Sequence, residues 1–372
     1  MLPLDGVRVV ELGQALAGPM AGEILAHLGA DVVKVERPEG DDARRWGPPF
    51  WQGTAPGFLA VNANKRAITL DLKDAAARAW LVDYLQDVDV VVQNLRPGVV
   101  EELGLDAATL GARYPRLVYC SVWAFGRTGP LGRHPGYEPM LQAFSGLMAM
   151  NGDADGPPTR IGTSILDYGT GMWAALGVLA ALWQRERTGR GATVDASLLE
   201  TGLGWLKGHF AAYGASGEVP ERHRTGSRRL VPFESFETRT GPLLVGAGND
   251  RLFVKLAEAL GRPEWGRDPR FATNAARVAH RGELLAAIEA ITRERPLDEW
   301  VARLEAAGVP CAPIHSLPDA LATAQARATG MMAPVPGQDL ALMALPLSFD
   351  GARPPIRRAP PRLGEHDGEI KR

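Results

Sequence analysis

The residues best suited to chemistry stand in short loops that follow apolar runs. Gly13-Gln14-Ala15-Leu16-Ala17-Gly18-Pro19 follows Val7–Leu12, and Arg37-Pro38-Glu39-Gly40-Asp41-Asp42 follows Asp31–Glu36. Asn94-Leu95-Arg96-Pro97-Gly98 follows Val88–Gln93, and Lys65, Arg66 and Lys73 lie between the second and third loops. Each loop offers small residues beside an amide or a cation. Arginine binds phosphate as a planar fork and lysine as a point charge, so these loops suit an extended, phosphorylated ligand. An equally open reading is a set of solvated charges paired with Asp41, Asp42, Asp71 and Asp74. Asp167 stands in Gly162-Thr163-Ser164-Ile165-Leu166-Asp167-Tyr168-Gly169-Thr170-Gly171. An aspartate directly before an apolar helix is by default its N-cap. The alternative is a partly desolvated carboxylate able to act as a covalent nucleophile. Gly162, Gly169 and Gly171 would let a ligand approach the backbone.

Other chemistries lack their residues. There is no G-x-x-x-x-G-K-[ST], no G-x-G-x-x-G after the first run and no G-x-S-x-G. Gly246-Ala247-Gly248 comes late, before a helical pattern, and reads as a turn. No nicotinamide or flavin is therefore expected. The seven histidines are scattered without metal-ligand spacing, so no metal is expected either. Cys120 and Cys311 cannot make a disulfide framework and read as small buried hydrophobes in a reducing compartment. With 41 Lys+Arg against 43 Asp+Glu, the chain lacks the basic excess of a nucleic-acid protein. The N-terminus has no basic segment followed by an apolar one, so no signal peptide is expected. The longest apolar run, Met172–Trp183, is shorter than the ~20 residues of a membrane span and reads as a buried core helix. A cytoplasmic protein with no membrane partner is expected.

These loops need a scaffold. Continuous β-branched runs at Val7–Leu12, Asp31–Glu36, Val88–Gln93 and Leu117–Val122 suit strands covered on both faces. Helical patterns at Ala17–Leu28 and Asp74–Gln86 alternate with them, which predicts a doubly wound α/β domain with right-handed crossovers. A long helix is expected from Asp167 to Arg187, a strand at Thr193–Ala196 and a helix at Ser197–Tyr213. Past a polar basic stretch the texture changes to a hairpin at Phe233–Val245 and amphipathic helices. The expected architecture is a large discontinuous domain, 1–215 with 325–372, and a small α+β domain, 230–320. The stretches 216–229 and 321–345 are expected as linkers, with the proline-rich tail returning to the large domain.

Several longer motifs taken together resemble the class III CoA-transferases, the group of formyl-CoA and carnitine CoA-transferases. They are GVRVVELGQALAGPMAGEILAHLGADVVKVERPEGDDARRWGPP (6–49), NANKRAITLDLK (62–73), QNLRPGVVEELGL (93–105), FGRTGP (125–130) and PGYEPMLQAFSGLMAMNG (135–152). LDYGTGM (166–172), GRGATVDASLLET (189–201) and APPRLGEH (359–366) complete the set. The resemblance spans essentially the whole chain. It implies a Rossmann-like fold, coenzyme A delivered as acyl-CoA, and Asp167 as the nucleophile. Gly169 and nearby amides would stabilise oxyanions, and Glu138 would support the reacting centre. The CoA-contacting positions implied are Gln14, Ala15, Arg37, Leu70, Asp71, Leu72, Lys73, Asn94, Leu95, Arg96, Pro135, Gly136 and Tyr137. An interlocked homodimer is implied as well.

Two departures from the pattern stand out. Glu102 occupies a place where many relatives carry a basic residue. The glycine-rich loop of formyl-CoA transferases has no counterpart around Val231–Thr240, which speaks against formate or oxalate as acceptors. Val231-Pro232-Phe233, VGAGND (245–250) and GVPCAPI (308–314) resemble the branch that pairs succinyl-CoA with dicarboxylic acids. Arg222, Arg224, Arg228 and Arg229 could then hold a second carboxylate. The α-methylacyl-CoA racemases share the fold but carry a histidine in the loop where Tyr137 stands here, and His134 is offset from that place by three residues. A non-catalytic CoA-binding protein is the third alternative, against which the presence of Asp167 argues.

Overall fold

The β-branched runs pair side by side. In the computed structural model, which describes residues 1–371, six parallel strands form one sheet. They are β1 (Arg8–Leu12), β2 (Asp31–Glu36), β3 (Arg66–Thr69), β4 (Val90–Gln93), β5 (Val118–Trp123) and β6 (Thr193–Ser197), in the order β3-β2-β1-β4-β5-β6. The helices that position the site are α1 (Ala17–His27), α2 (Ala75–Tyr84), α3 (Ala107–Arg113), α4 (Glu138–Phe144), α5 (Ile165–Thr188) and α6 (Leu198–Trp205). Successive strand residues point to opposite faces. Val9, Val90, Val92 and Cys120 enter a core shared with Leu25 of α1 and Val178 of α5. Val10, Val91 and Tyr119 enter a second core with Leu81 of α2 and Leu110 of α3. Both faces are covered, which is why the runs are unbroken rather than alternating.

β3 departs from expectation. Arg66–Thr69 is too short and too polar at its ends to read as a strand, yet it pairs with β2 from Val33↔Arg66 to Glu36↔Thr69. The loop Asn94–Gly98 therefore follows the fourth strand in chain order, not the third. The open edge of β3 is taken up by the C-terminal segment. The Ala67 amide donates to His366 Nδ1 at 3.2 Å, the His366 amide donates to the Ala67 carbonyl at 3.0 Å, and the Thr69 amide donates to Asp367 at 2.8 Å. Covering an edge in this way prevents pairing with another chain.

The helix containing Asp167 starts earlier than expected. Ser164 is the N-cap of α5 and makes no side-chain capping bond, so Asp167 lies within the first turn and is not the cap. The helix ends at Gly189, whose φ of 70° is the left-handed conformation that favours glycine. It is long and apolar enough to cross a membrane by length and composition, but half of its most apolar stretch is buried within the fold. The expected fully buried helix is only half realised, because Met172, Trp173, Leu176 and Trp183 are exposed. Gly171 is where α5 meets α1. A Cβ there would stand 2.6 Å from Met20 Cβ and 2.9 Å from the Ala17 carbonyl. Gly171→Val should therefore cost roughly 3 kcal/mol through overpacking, read as a lowered denaturation midpoint. A variant as stable as the wild type would contradict this contact.

Two compact units divide the chain. The larger comprises Met1–Ala149, Arg160–Val219 and Arg327–Arg372, and the smaller Met150–Thr159 with Pro220–Ala326. In the smaller, β7 (Phe233–Glu237), β8 (Pro242–Gly246) and β9 (Cys311–Pro313) form an antiparallel sheet. It packs through Phe236 and Val245 on Phe253, Ile288 and Trp300 from its amphipathic helices. Part of 321–345, expected as linker, is a hairpin pairing Met332–Pro334 with Ala341–Met343. Val335 and Leu342 of that hairpin pack with Ala63 and Ile356, an apolar cluster that strand-length runs of three residues do not announce.

Candidate active site

The strand order reverses between β1 and β4, and open parallel sheets bind ligands beyond the carboxyl ends at such a point. One cavity lies there. Gln14 and Ala15 after β1 line it, with Asn94, Leu95 and Arg96 after β4. Pro135, Gly136, Tyr137 and Glu138 at the start of α4, and Ser164 and Asp167 at the start of α5, complete the wall. Asp41 and Asp42 of the loop after β2 also line it, as do Trp46 and His134, which were not expected there. Leu16, the N-cap of α1, gives no side-chain capping bond, whereas at the start of α5 the Thr163 carbonyl takes the Ile165 amide and Glu138 the Leu166 amide, so one uncapped helix start borders the cavity. Unfilled amides and the helix dipole at such ends favour negative charge. Arg96 is exposed, and its guanidinium has no protein partner among the described residues.

Of the carboxylates that line this space, Glu138 and Asp167 are in different states. Glu138 is 4% exposed and fully engaged. Its Oε1 accepts from Gln142 Nε2 at 2.6 Å and from the Leu166 amide at 3.3 Å, and its Oε2 pairs with Arg160 at 3.3 Å. Gln142 also bonds the Ile161 amide at 2.9 Å, which ties the segment before α5 to α4. Asp167 is half-buried, and its carboxylate accepts no hydrogen bond among the described residues. Burial first, and the Glu138 charge second, raise its pKa to about 7 against the pull of Arg160. A carboxylate left without donors is poorly stabilised as an anion, which is the condition of a reactive nucleophile. Arg160 is not legible in the sequence because its partner Glu138 lies 22 positions away on another element, whereas Gln142 stands one helical turn from Glu138 and that spacing could have found it.

The expected residues do not all meet there. Arg37 stands outside the cavity, its Nε donating to the Gly40 carbonyl at 3.0 Å and its fork pairing with Asp42 at 2.5 Å. Leu70 is in the core beside Val35 and Ile68, and Leu72 packs against the same core. Asp71 closes a turn by accepting the Lys73 amide at 3.0 Å, leaving Lys73 exposed beyond the edge strand. Gly169 does not reach the cavity. It is buried against α6, where a Cβ would stand 2.3 Å from Trp205, and its amide lies within the helical ladder of α5. An oxyanion role for Gly169 is thus replaced by a packing one. Of the other lysines, Lys34 and Lys65 are completely buried and paired with Glu11, so neither is a surface cation. Arg66 pairs with Asp31 and with Glu369 at 2.7 Å. In the smaller unit Arg222 donates to the carbonyls of Asp153 at 3.0 Å and Gly156 at 2.7 Å. Arg224 lies 3.5 Å from Asp153, so both guanidinia are engaged within their own unit. Cys120 is buried in the sheet, where burial pushes its thiol up to about 12. Among the described residues no group of three His, Cys, Asp or Glu side chains could hold a metal ion.

Known proteins resemble this chain over its whole length. A succinyl-CoA:glutarate CoA-transferase of Mus musculus is 36% identical over 100% of this chain and 86% of its own length. An acetyl-CoA:oxalate CoA-transferase of Acetobacter aceti is 36% identical over 100% of this chain and 95% of its own. The crystal structure of a CaiB/BaiF family protein from Brucella suis superposes with a TM-score of 0.90 at 38% identity, covering 100% of this chain and 98% of that one. The model of CoA-transferase family III matches residues 4–367. The chain belongs to CoA-transferase family III and is an enzyme that transfers CoA.

Proposed function

We propose that the enzyme moves CoA from succinyl-CoA to a dicarboxylic acid through a thioester on Asp167. The observation that carries this is the half-buried Asp167 carboxylate, without a hydrogen-bond donor and with its pKa raised to about 7. Asp167 attacks the acyl carbon of the donor, forming an aspartyl anhydride and expelling CoA thiolate. The thiolate attacks the aspartyl carbonyl, releasing the donor acid and leaving an aspartyl-CoA thioester. The acceptor carboxylate attacks that thioester, giving a second anhydride and CoA thiolate. The thiolate then attacks the acceptor's acyl carbon, releasing the new acyl-CoA and restoring Asp167. Each displacement exchanges an activated acyl bond for another, so no external energy source is consumed. The uncapped start of α1 is suited to the developing oxyanions, and Arg96 to the anionic body of CoA. The resemblance assigns Arg37 and Lys73, after the neighbouring strands β2 and β3, to its more distant phosphates.

The acceptor reading leans on the relatives named above. Glutarate and oxalate differ in length, but both are dicarboxylic acids. The absent glycine-rich loop argued against oxalate, so the test must include it. Incubation with succinyl-CoA and a panel of glutarate, oxalate, itaconate, malate, citramalate and butyrate, followed by mass spectrometry of new CoA esters, should give esters of the dicarboxylates. Exchange with butyrate alone would overturn the acceptor class, and exchange only from acetyl-CoA would overturn the donor.

The same reading includes a homodimer. Met172, Trp173, Leu176 and Trp183 of α5, with Phe210, are large apolar side chains left exposed on the single chain. A second copy is the proposed cover, and light scattering on a sizing column should return twice the chain mass. A stable monomer would contradict it.

A further inference from the structure

Beneath the Gly13–Ala15 turn lies a set of charges that the transfer steps do not use. Lys34 Nζ stands 3.0 Å from Glu11 Oε1, 3.0 Å from Asp41 Oδ2 and 2.7 Å from the Gly13 carbonyl, to which it donates. Glu11 and Lys34 are both completely buried, and Asp41 is 2% exposed. Burial alone would lower the Lys34 pKa, but Glu11, Asp41 and Glu36 outweigh it and hold the amine charged. The same Lys34 partner keeps Asp41 ionised in spite of its burial.

This group grips the turn. Asp41 Oδ1 accepts the Ala15 amide at 3.1 Å and the Ala43 amide at 3.0 Å. From the other side, Asn94 Oδ1 accepts the Gln14 amide at 2.7 Å while its Nδ2 donates to the Gln14 carbonyl at 2.9 Å. Four consecutive backbone groups, from the Gly13 carbonyl to the Ala15 amide, are thus held by three side chains. Ala15 is kept at a φ of 62°, a left-handed conformation that alanine does not favour. A buried ion pair is a weak stabiliser, and well-packed apolar residues often do as well. What Lys34 and Asp41 supply that apolar side chains could not is two hydrogen bonds to a strained backbone.

We propose that Lys34 and Asp41 are positioning residues for CoA transfer. They fix the Gly13–Ala15 turn, and with it the uncapped start of α1, as one wall of the cavity that holds Asp167. The proposal deepens the reading of Asp167 given above and rests on it. Released from these bonds, Ala15 relaxes toward negative φ and the wall moves. Displacements of about 1 Å at reacting groups cost on the order of a hundredfold in rate.

The test compares Lys34→Met and Asp41→Asn with Arg185→Met, measuring melting temperature, kcat and KM for acyl-CoA. In Asp41→Asn the new amide NH2 faces the Lys34 ammonium, donor against donor, so the grip on the turn must shift. Arg185, buried in the C-terminal half of α5, pairs at 2.9 Å with the partly exposed Asp89 and touches neither the turn nor the cavity. At a temperature where all three are folded, kcat should fall at least tenfold in Lys34→Met and Asp41→Asn, with KM within about threefold. Arg185→Met should melt earlier but keep kcat within twofold. Should Lys34→Met not fold, Asp41→Asn decides alone. Unchanged kcat in folded Asp41→Asn, or an equal loss in Arg185→Met, overturns the positioning role. Wild-type protein that exchanges no CoA would instead overturn the reading of Asp167.

Discussion

Asp167→Asn should leave a folded protein that has lost CoA exchange by at least about a thousandfold, since no neighbouring group can form the acyl intermediate in its place. Glu138 is the carboxylate whose charge acts on Asp167, but Gln142, Arg160 and the Leu166 amide hold it in place. The same substitution should make the protein more stable above neutral pH. The folded pKa of Asp167 is raised to about 7 from an ordinary 3.8. Between those values the folded chain binds the extra proton, so wild-type stability falls as pH rises and the deficit is complete above about 7. Asparagine carries no charge to desolvate. Because the side chain borders a water-accessible cavity, the gain expected at pH 8 is roughly 2 kcal/mol, vanishing toward pH 4. Denaturant titrations of both proteins at pH 5 and pH 8 measure it. A destabilised Asp167→Asn at pH 8 would mean that the carboxylate is a structural group.

The second large effect is on the pH profile. Attack requires the Asp167 carboxylate, so kcat/KM should rise with pH through about 7 in the wild type. Glu138 pushes that pKa up and Arg160 pulls it down. Glu138→Gln keeps the shape of the side chain but removes the charge, so the rise should move to lower pH. Relative to its own maximum, the variant should then be several-fold more active near pH 5.5. Arg160→Gln should move the rise in the opposite direction. Profiles of both variants that coincide with the wild type would show that a group other than Asp167 controls the acid limb.

The sequence was most legible where one physical pattern dominated. Val9 and Val10, or Val90 to Val92, divide between two cores, and that division makes the parallel strands readable as unbroken β-branched runs. β3 was illegible because Arg66–Thr69 owes its pairing to β2 and to His366 and Asp367, some 300 positions away in the chain. Of the candidate site, the loops after β1 and β4 and the segments at Pro135–Glu138 and Asp167 do meet in one cavity. Residue type alone misled at Lys65, which looks like a phosphate-binding cation but neutralises Glu11 in the interior. Gly169 misled in the same way: a glycine beside a candidate nucleophile suggests ligand approach, whereas the indole of Trp205 is what excludes a side chain there. The sequence resemblance pointed to Asp167, and its first-turn position, bare of donors, is visible only in three dimensions.

The most direct measurement is to trap the intermediate. Wild-type protein mixed with succinyl-CoA alone, quenched in acid and analysed by intact mass and peptide mapping, should carry CoA joined with loss of water on the peptide containing Asp167. The adduct should disappear on adding a dicarboxylic acceptor and never form on Asp167→Asn. An adduct that maps to another residue, or brisk exchange by Asp167→Asn, would contradict the account.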